Sequence, residues 1–175
     1  MTLGSALDEI DWRLLVALQE NARVTFSELG RRVGLTAPAV AERVRRLEDL
    51  GIISSYQVSL NLERLGLPVA AVVRLVTTEG GCAAFAGVAP TFPEVRECHR
   101  VTGSDSYVLK VSLPSIQHLE SLLDRLSAYG TTTTSLILSS PVTRRVVEGP
   151  SPVPGAGHGS DGRREAEDRV TLEGP

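Results

Sequence analysis

Aromatic residues make up only 4% of this 175-residue chain, so any core must be filled by Leu, Val, Ile and Ala. Lysine is almost missing as well. Of 18 basic residues all but Lys110 are arginine, a bias that reads as base composition of the gene rather than chemistry. The two cysteines, Cys82 and Cys98, have no metal-ligand spacing and read as thiols in a reducing cytosol. No apolar run approaches the ~18 residues of a membrane span. The start, Met1 to Ser5, shows neither a basic n-region nor an apolar h-region, so no signal peptide is expected and the protein is expected in the cytoplasm. There is no Ser/His/Asp set, no CxxC and no phosphate loop. No metal or cofactor is expected, and the chain is not expected to be an enzyme.

Apolar residues reach 42%, enough for a packed core and too many for wholesale disorder. The net charge of −3 argues at first against nucleic acid, but distribution matters more than the sum. Between Arg23 and Arg46 stand six arginines (Arg23, Arg31, Arg32, Arg43, Arg45, Arg46) against two acids, Glu28 and Glu42. Acidic stretches at Asp8–Asp11 and Glu48–Asp49 flank this basic island.

Asp8 is placed to N-cap a first helix, with Ile10, Leu14, Leu15 and Leu18 at helical spacing behind it and Trp12 off that stripe. Asn21, Ala22 and Arg23 end it. A second helix opens at Thr25 or Ser27, with Glu28 completing a capping box from Thr25, and stops at Gly34. Thr36 caps a third helix with Pro38 in its first turn, running to about Leu50 before Gly51. Ile52–Leu60 alternates and is rich in β-branched residues, which predicts a strand and the start of a wing. The tight Gly34-Leu35-Thr36 turn makes the second and third helices a helix-turn-helix, whose third helix enters the major groove.

With Val40, Val44 and Leu47 inward, Pro38, Ala39, Glu42, Arg45 and Arg46 point outward and Arg43 lies at the border. The candidate DNA-binding set is therefore Thr36, Ala37, Pro38, Ala39, Glu42, Arg43, Arg45 and Arg46. Arginines neutralise phosphates and can read guanine bidentately. The small residues Ala37 to Ala39 let the helix N-terminus approach a phosphate. Arg45 and Arg46 are the leading contacts; Arg43 is as well suited to bracing the domain. The competing reading of this face is a solvated surface with a Glu42–Arg46 pair at i,i+4.

Beyond a linker punctuated by Gly66 and Pro68, the pattern is a strand over Val69–Thr78, a helix over Cys82–Val88, strands over Val95–Thr102 and Tyr107–Leu113, a helix from Pro114-Ser115 with Ile116, Leu119, Leu122, Leu123 and Leu126 on one face, and a strand over Thr132–Ser139. That order, βαββαβ, is the ferredoxin-like arrangement. The fold class is α+β: an N-terminal winged helix-turn-helix over 1–60, a linker over 61–67, a ferredoxin-like domain over 68–145, and a disordered Gly/Pro/Ser-rich tail over 146–175.

The segment LDEIDWRLLVALQENARVTFSELGRRVGLTAPAVAERVRRLEDLGIISSYQVSLNLERLG, with its Leu-Asp-x-Ile-Asp start, Asn-Ala-Arg turn and Arg43-Val-x-Arg-Leu-Glu-x-x-Gly-Ile-Ile run, resembles the opening of the Lrp/AsnC (leucine-responsive, feast/famine) regulators. FPEVRECHRVTGSDSYVLKV and YGTTTTSLILSSP resemble the second domain of that family, so the likeness spans about residues 7–145. It implies a RAM/ACT-like second domain that pairs its sheets into a dimer, with dimers often assembling into octamers, double-stranded DNA as partner, and an amino-acid effector between dimers. Carried onto this chain, the effector positions are Thr102, Gly103, Ser104, Asp105 and Ser106, with Thr133, Thr134 and Ser135. One departure stands out: the family commonly reads Gly-x-x-Asp-Tyr in this turn, and here Ser106 occupies the Asp position with Asp105 one residue early. A serine cannot pair as a charge with an ammonium group, so either Asp105 substitutes, the ligand differs, or the response is absent. A purely structural turn is the competing reading. Two other functions remain open: an architectural DNA-binding protein without effector, and a haem-pathway decarboxylase of the same architecture, for which His99 and His118 are the candidates.

Overall fold

The structure, a computed structural model, describes residues 7–149. These form two compact units: residues 7–54 together with 146–149, and Ser55–Arg145. The division falls at Ser54 rather than after Leu60. Val146 to Gly149 pack with the first unit, and the rest of the tail expected to be disordered lies outside the described residues.

The first unit holds α1 (Glu9–Glu20), α2 (Phe26–Val33) and α3 (Ala37–Asp49). Asp8 caps α1, and the capping box is completed by Asp11. Thr25 caps α2 by accepting the Glu28 amide at 3.2 Å; the Glu28 carboxylate, expected to reach back, instead pairs with Arg31 and Arg32. Leu14, Leu18, Leu29, Val33, Val40 and Val44 form the core, with Ile53 packed against it. The turn between α2 and α3 uses Gly34 at φ 75°, the left-handed region that glycine enters without a Cβ penalty. Gly30 matters for a different reason. It is buried in α2, its carbonyl accepts the Leu35 amide at 2.9 Å, and a Cβ on it would overlap the Leu35 carbonyl oxygen. The chain therefore comes back close against its own helix, which makes the turn tight.

The strand expected over Ile52–Leu60 is not formed. Ile52 and Ile53 instead donate to the Leu47 carbonyl and close the end of α3. Beyond them Val58 is 84% and Leu60 60% exposed. A strand exists only as part of a ladder, and among the described residues the one sheet does not include this segment.

The second unit contains β1 (Val69–Thr77), α4 (Gly81–Val88), β2 (Val95–Arg100), β3 (Tyr107–Leu113), α5 (Ile116–Ser127) and β4 (Gly130–Leu136). The sheet order is β2-β3-β1-β4 with every neighbour antiparallel, the ferredoxin-like topology. Alternation along the strands sends Ala71, Val73, Leu75, Leu109 and Val111 toward the helices. Four of the seven aromatics, Phe85, Phe92, Tyr107 and Tyr129, gather there, and Phe85 makes edge contacts with Tyr107 at 5.0 Å and Tyr129 at 5.5 Å. On α5, Leu119, Leu122 and Leu126 are buried, whereas Ile116, expected on the same face, is 52% exposed. It sits in the first turn, beside the Ser115 cap.

Candidate nucleic-acid interface and effector region

Helix α3 buries Val40, Val44 and Leu47, so its opposite flank is fixed outward. Thr36 stands at the N-cap but its side chain makes no capping bond. Caps bond the N–H of the second or third residue, and the second here is Pro38, which has none. Thr36 and Pro38 are exposed and Ala37 and Ala39 half-buried, and among the described residues the Ala37 and Ala39 amides and the Thr36 hydroxyl make no hydrogen bond. Glu42 and Arg45 are exposed, and Arg45 has no ion pair among the described residues.

Arg43 and Arg46 are arranged otherwise. Both reach α1, where Asp11 lies at 0% exposure. Arg43 Nη1 donates to Asp11 Oδ1 at 2.9 Å and to Asp8 Oδ2 at 2.6 Å; Arg46 Nη2 donates to Asp11 Oδ2 at 2.5 Å. The Asp11 carboxylate also accepts the Asp8 amide at 3.2 Å. The Asp8 carboxyl is held below its ordinary range, first by the Asp11 amide and then by Arg43, and these carboxylates in turn raise the Arg43 guanidinium. So Arg43 braces the domain, and Arg46, expected as a free leading contact, is tied to α1 while half its side chain stays in solvent. It makes no pair with Glu42. A buried carboxylate attracts guanidinium more strongly than an exposed i,i+4 neighbour does. Asp11 was the functional residue that sequence reasoning passed over. Its clue was its place three residues after Asp8 on the side of the Leu14/Leu18 stripe.

In the second unit Thr102, Gly103 and Ser104 are exposed, and Asp105 and Ser106 half-buried. Gly103 has φ 108°, which supports its structural role in the turn. Ser106 Oγ accepts the Thr77 amide and the Thr77 hydroxyl, each at 3.1 Å, and Thr77 Oγ1 lies 3.0 Å from Cys82 Sγ. The Thr77 and Ser106 hydroxyls, aided by the charge of Arg100, hold the Cys82 thiol below its ordinary value. Burial raises that of Cys98. Thr133, Thr134 and Ser135 do not share a surface. Thr133 faces with Arg74 and Ser135 with Val72 on the open side of the sheet, whereas Thr134 pairs with buried Val73, and its hydroxyl is buried without a partner. Period-two alternation separates neighbours on a strand.

A reading helix held by packing on one side and cationic on the other, joined in one chain to a ferredoxin-like domain, defines a helix-turn-helix DNA-binding regulator. Two family models match in tandem: the AsnC-type helix-turn-helix domain over residues 7–48 and the Lrp/AsnC ligand binding domain over 70–147. The chain belongs to the Lrp/AsnC family of transcriptional regulators. It is 42% identical over 134 residues to the HTH-type transcriptional regulator YezC of Bacillus subtilis, covering 77% of this chain and 95% of that one. It is 35% identical to LrpC of the same organism over 76% of this chain and 92% of the relative. The solved structure of B. subtilis LrpC superposes with a TM-score of 0.75 at 34% identity, covering 79% of this chain and 99% of that one. A Neisseria meningitidis regulator solved as an L-Met complex gives 0.76 at 28% identity, over 81% and 96% of the two chains.

Proposed function

We propose that this regulator reads DNA through the flank formed by Thr36, Ala37, Pro38, Ala39, Glu42 and Arg45, with Arg46 contributing from its anchored position and Arg43 serving chiefly as a brace. The observation that carries this is the contrast on α3: Arg45 is exposed and uncommitted, while the arginines beside it are tied to Asp8 and Asp11. The open amides at the start of α3 suit a phosphate, and Arg45 suits a phosphate or guanine edge. A dimer places two such helices on pseudo-palindromic half-sites one helical turn apart or a multiple of it. Dimerisation through the open sheet face is supported by its half-apolar character, with Val76 43% exposed on it; octamers are the larger alternative.

The test is a mobility shift on the promoter fragment beside the protein's own gene. Arg45→Ala is expected to weaken binding about tenfold or more, in line with about 1–3 kcal/mol for one good base contact, while leaving thermal melting unchanged. Equal affinity of the variant and the parent at physiological salt refutes the assignment.

The second domain is read as sensing a small molecule around Thr102–Ser106, with Thr133 and Ser135 on the neighbouring open face. Relatives named leucine-responsive regulatory protein and the L-Met complex make amino acids the first ligands to screen. The engaged, uncharged Ser106 favours the effector-free architectural alternative, and a ligand-induced rise in melting temperature separates the two. Catalysis forms no part of this reading. His99 is bonded to Glu97 at 3.0 Å and His118 to Ser115 at 2.8 Å, arrangements suited to a strand surface and a helix cap. No helix among the described residues is long and apolar enough to cross a membrane, and a DNA-binding role is consistent with the cytoplasmic location expected for the protein.

A further inference from the structure

We propose that the groove between α4 and the edge strand β2 binds a small apolar carboxylate without an ammonium group, such as a 2-oxo acid, and that this anion is the effector. The inference rests on the reading of this domain as the sensing domain and names the ligand class and its seat.

The groove encloses about 480 Å³, within the range of small-molecule sites. Ala86, Ala89, Phe92 and Val95 supply an apolar wall, and Arg96 and Arg100 stand along it. β2 is irregular here. Val95 is opposite Val111 and Glu97 is opposite Lys110, so Arg96 is the extra residue of a bulge. Bulges re-aim side chains at sheet edges. Neither Arg96 nor Arg100 has an ion pair or side-chain hydrogen bond among the described residues. The one acid of the groove lining, Glu97, is already neutralised: its carboxylate meets Lys110 Nζ at 2.9 Å and His99 Nε2 at 3.0 Å. The groove thus carries uncompensated guanidinium charge beside apolar surface.

That combination is selective. A guanidinium fork binds a carboxylate through two parallel hydrogen bonds, and its weak hydration lowers the cost of doing so beside apolar atoms. An α-ammonium group would need an acceptor of opposite charge. Glu97 is engaged, and the turn offers Ser106, whose oxygen already accepts from Thr77. A zwitterion would bring a cation next to Arg96 and Arg100 with nothing to offset it, whereas the 2-oxo acid of the same skeleton brings only the anion. The site also has a route to the rest of the domain. Arg100 directly precedes the turn, whose ends are joined by the Val101 amide donating to the Ser106 carbonyl at 3.1 Å.

The experiment uses the full chain, titrated in parallel with leucine and with 4-methyl-2-oxopentanoate at matched ionic strength, with chloride as control. Thermal unfolding and calorimetry provide the readouts, for the parent and for Arg96→Gln and Arg100→Gln. The expected result is stabilisation by the 2-oxo acid at concentrations where leucine and chloride give none, with affinity falling tenfold or more in at least one variant. Both substitutions lie on exposed side chains, so the ligand-free melts should coincide with the parent. Binding of leucine but not of the 2-oxo acid overturns the inference and leaves the sensing domain intact. Binding of the 2-oxo acid undiminished in both variants overturns the seat in this groove. No binding of either removes the inference, and a full amino-acid screen that also fails removes the sensing reading with it.

Discussion

Removing the two arginines that hold Asp11 should do more damage than removing Asp11 itself. Asp11 has no exposed surface and is met by Arg43 and Arg46. In Arg43→Met/Arg46→Met apolar stems still cover the carboxylate, which keeps only the Asp8 amide, and an uncompensated buried charge costs about 3–5 kcal/mol. In Asp11→Ala the orphaned groups are guanidiniums whose side chains are already 30% and 50% exposed, so water can take over. That loss should be nearer 1–3 kcal/mol, the range for hydrogen bonds to charged groups. A unit of this size commands roughly 3–8 kcal/mol in all, at about 0.05–0.15 kcal/mol per residue. The double arginine variant should therefore leave the helical unit largely unfolded at 37 °C, while Asp11→Ala should melt lower by about 5–20 °C, at 4–8 °C per kcal/mol. Each single arginine variant leaves one partner in place and should fall between the parent and the double variant. Fluorescence of Trp12, the single tryptophan, follows the first unit on heating, and the fluorescence of Tyr56, Tyr107 and Tyr129 in a Trp12→Phe background follows the second. If Asp11→Ala proves the more destabilising, or if the double variant melts with the parent, the claim that a buried charge organises α1 against α3 is wrong.

Gly30→Ala should destabilise the first unit by about 1–3 kcal/mol through overpacking, although alanine is the better helix former; a variant that melts higher than the parent would mean that the turn relaxes freely. Thr134→Val should raise the stability of the second unit by about 1 kcal/mol, since its hydroxyl is buried without a partner and an unmade hydrogen bond costs about that or more. It should leave any effector response unchanged, which ligand-dependent melting will show. Asp8 has its carboxyl lowered below 3.8 in the folded state, so its contribution is fully present above that pH and disappears as pH falls through the lower folded value. Asp8→Asn should therefore flatten the acid limb of the first unit's stability below about pH 4 and leave the slope above about pH 5 unchanged; an identical acid limb would count against the Asp11 amide and Arg43 as the cause.

The elements were legible because their signals are local. Thr25, Gly34 and Pro38 punctuate the helices through backbone rules that need no tertiary context, and the β-branched runs Val69–Thr77 and Tyr107–Leu113 announce strands in the same way. The strand expected after Gly51 failed for the complementary reason: alternation tells which residues suit a ladder and says nothing of whether a neighbour exists. The candidate DNA flank was half legible. Helical periodicity correctly turned Val40, Val44 and Leu47 inward and Arg45 outward. It could not reveal that Arg46 bends back to Asp11, because that depends on a charge 35 residues away being stripped of water. Thr133 to Ser135 came from the family resemblance as one run, and the strand period sends Thr134 to the opposite face.

The same dependence bears on the reading surface proposed for a protein of net charge −3. Two of the arginines on α3 are held by acids of α1, so part of the apparent positive charge of the basic island is cancelled inside the fold. What remains on the proposed DNA flank is smaller than the arginine count suggests: Arg45, the outer half of Arg46 and the first amides of α3. A surface with few phosphate contacts gains a shallow salt dependence and limited affinity as a single copy, which makes pairing of two copies on neighbouring half-sites the natural source of tight binding. On the reading proposed above, the anchoring and the use of a partner go together: Asp11 ties two arginines and holds α3 against α1, and association of two copies would supply the affinity that this withholds.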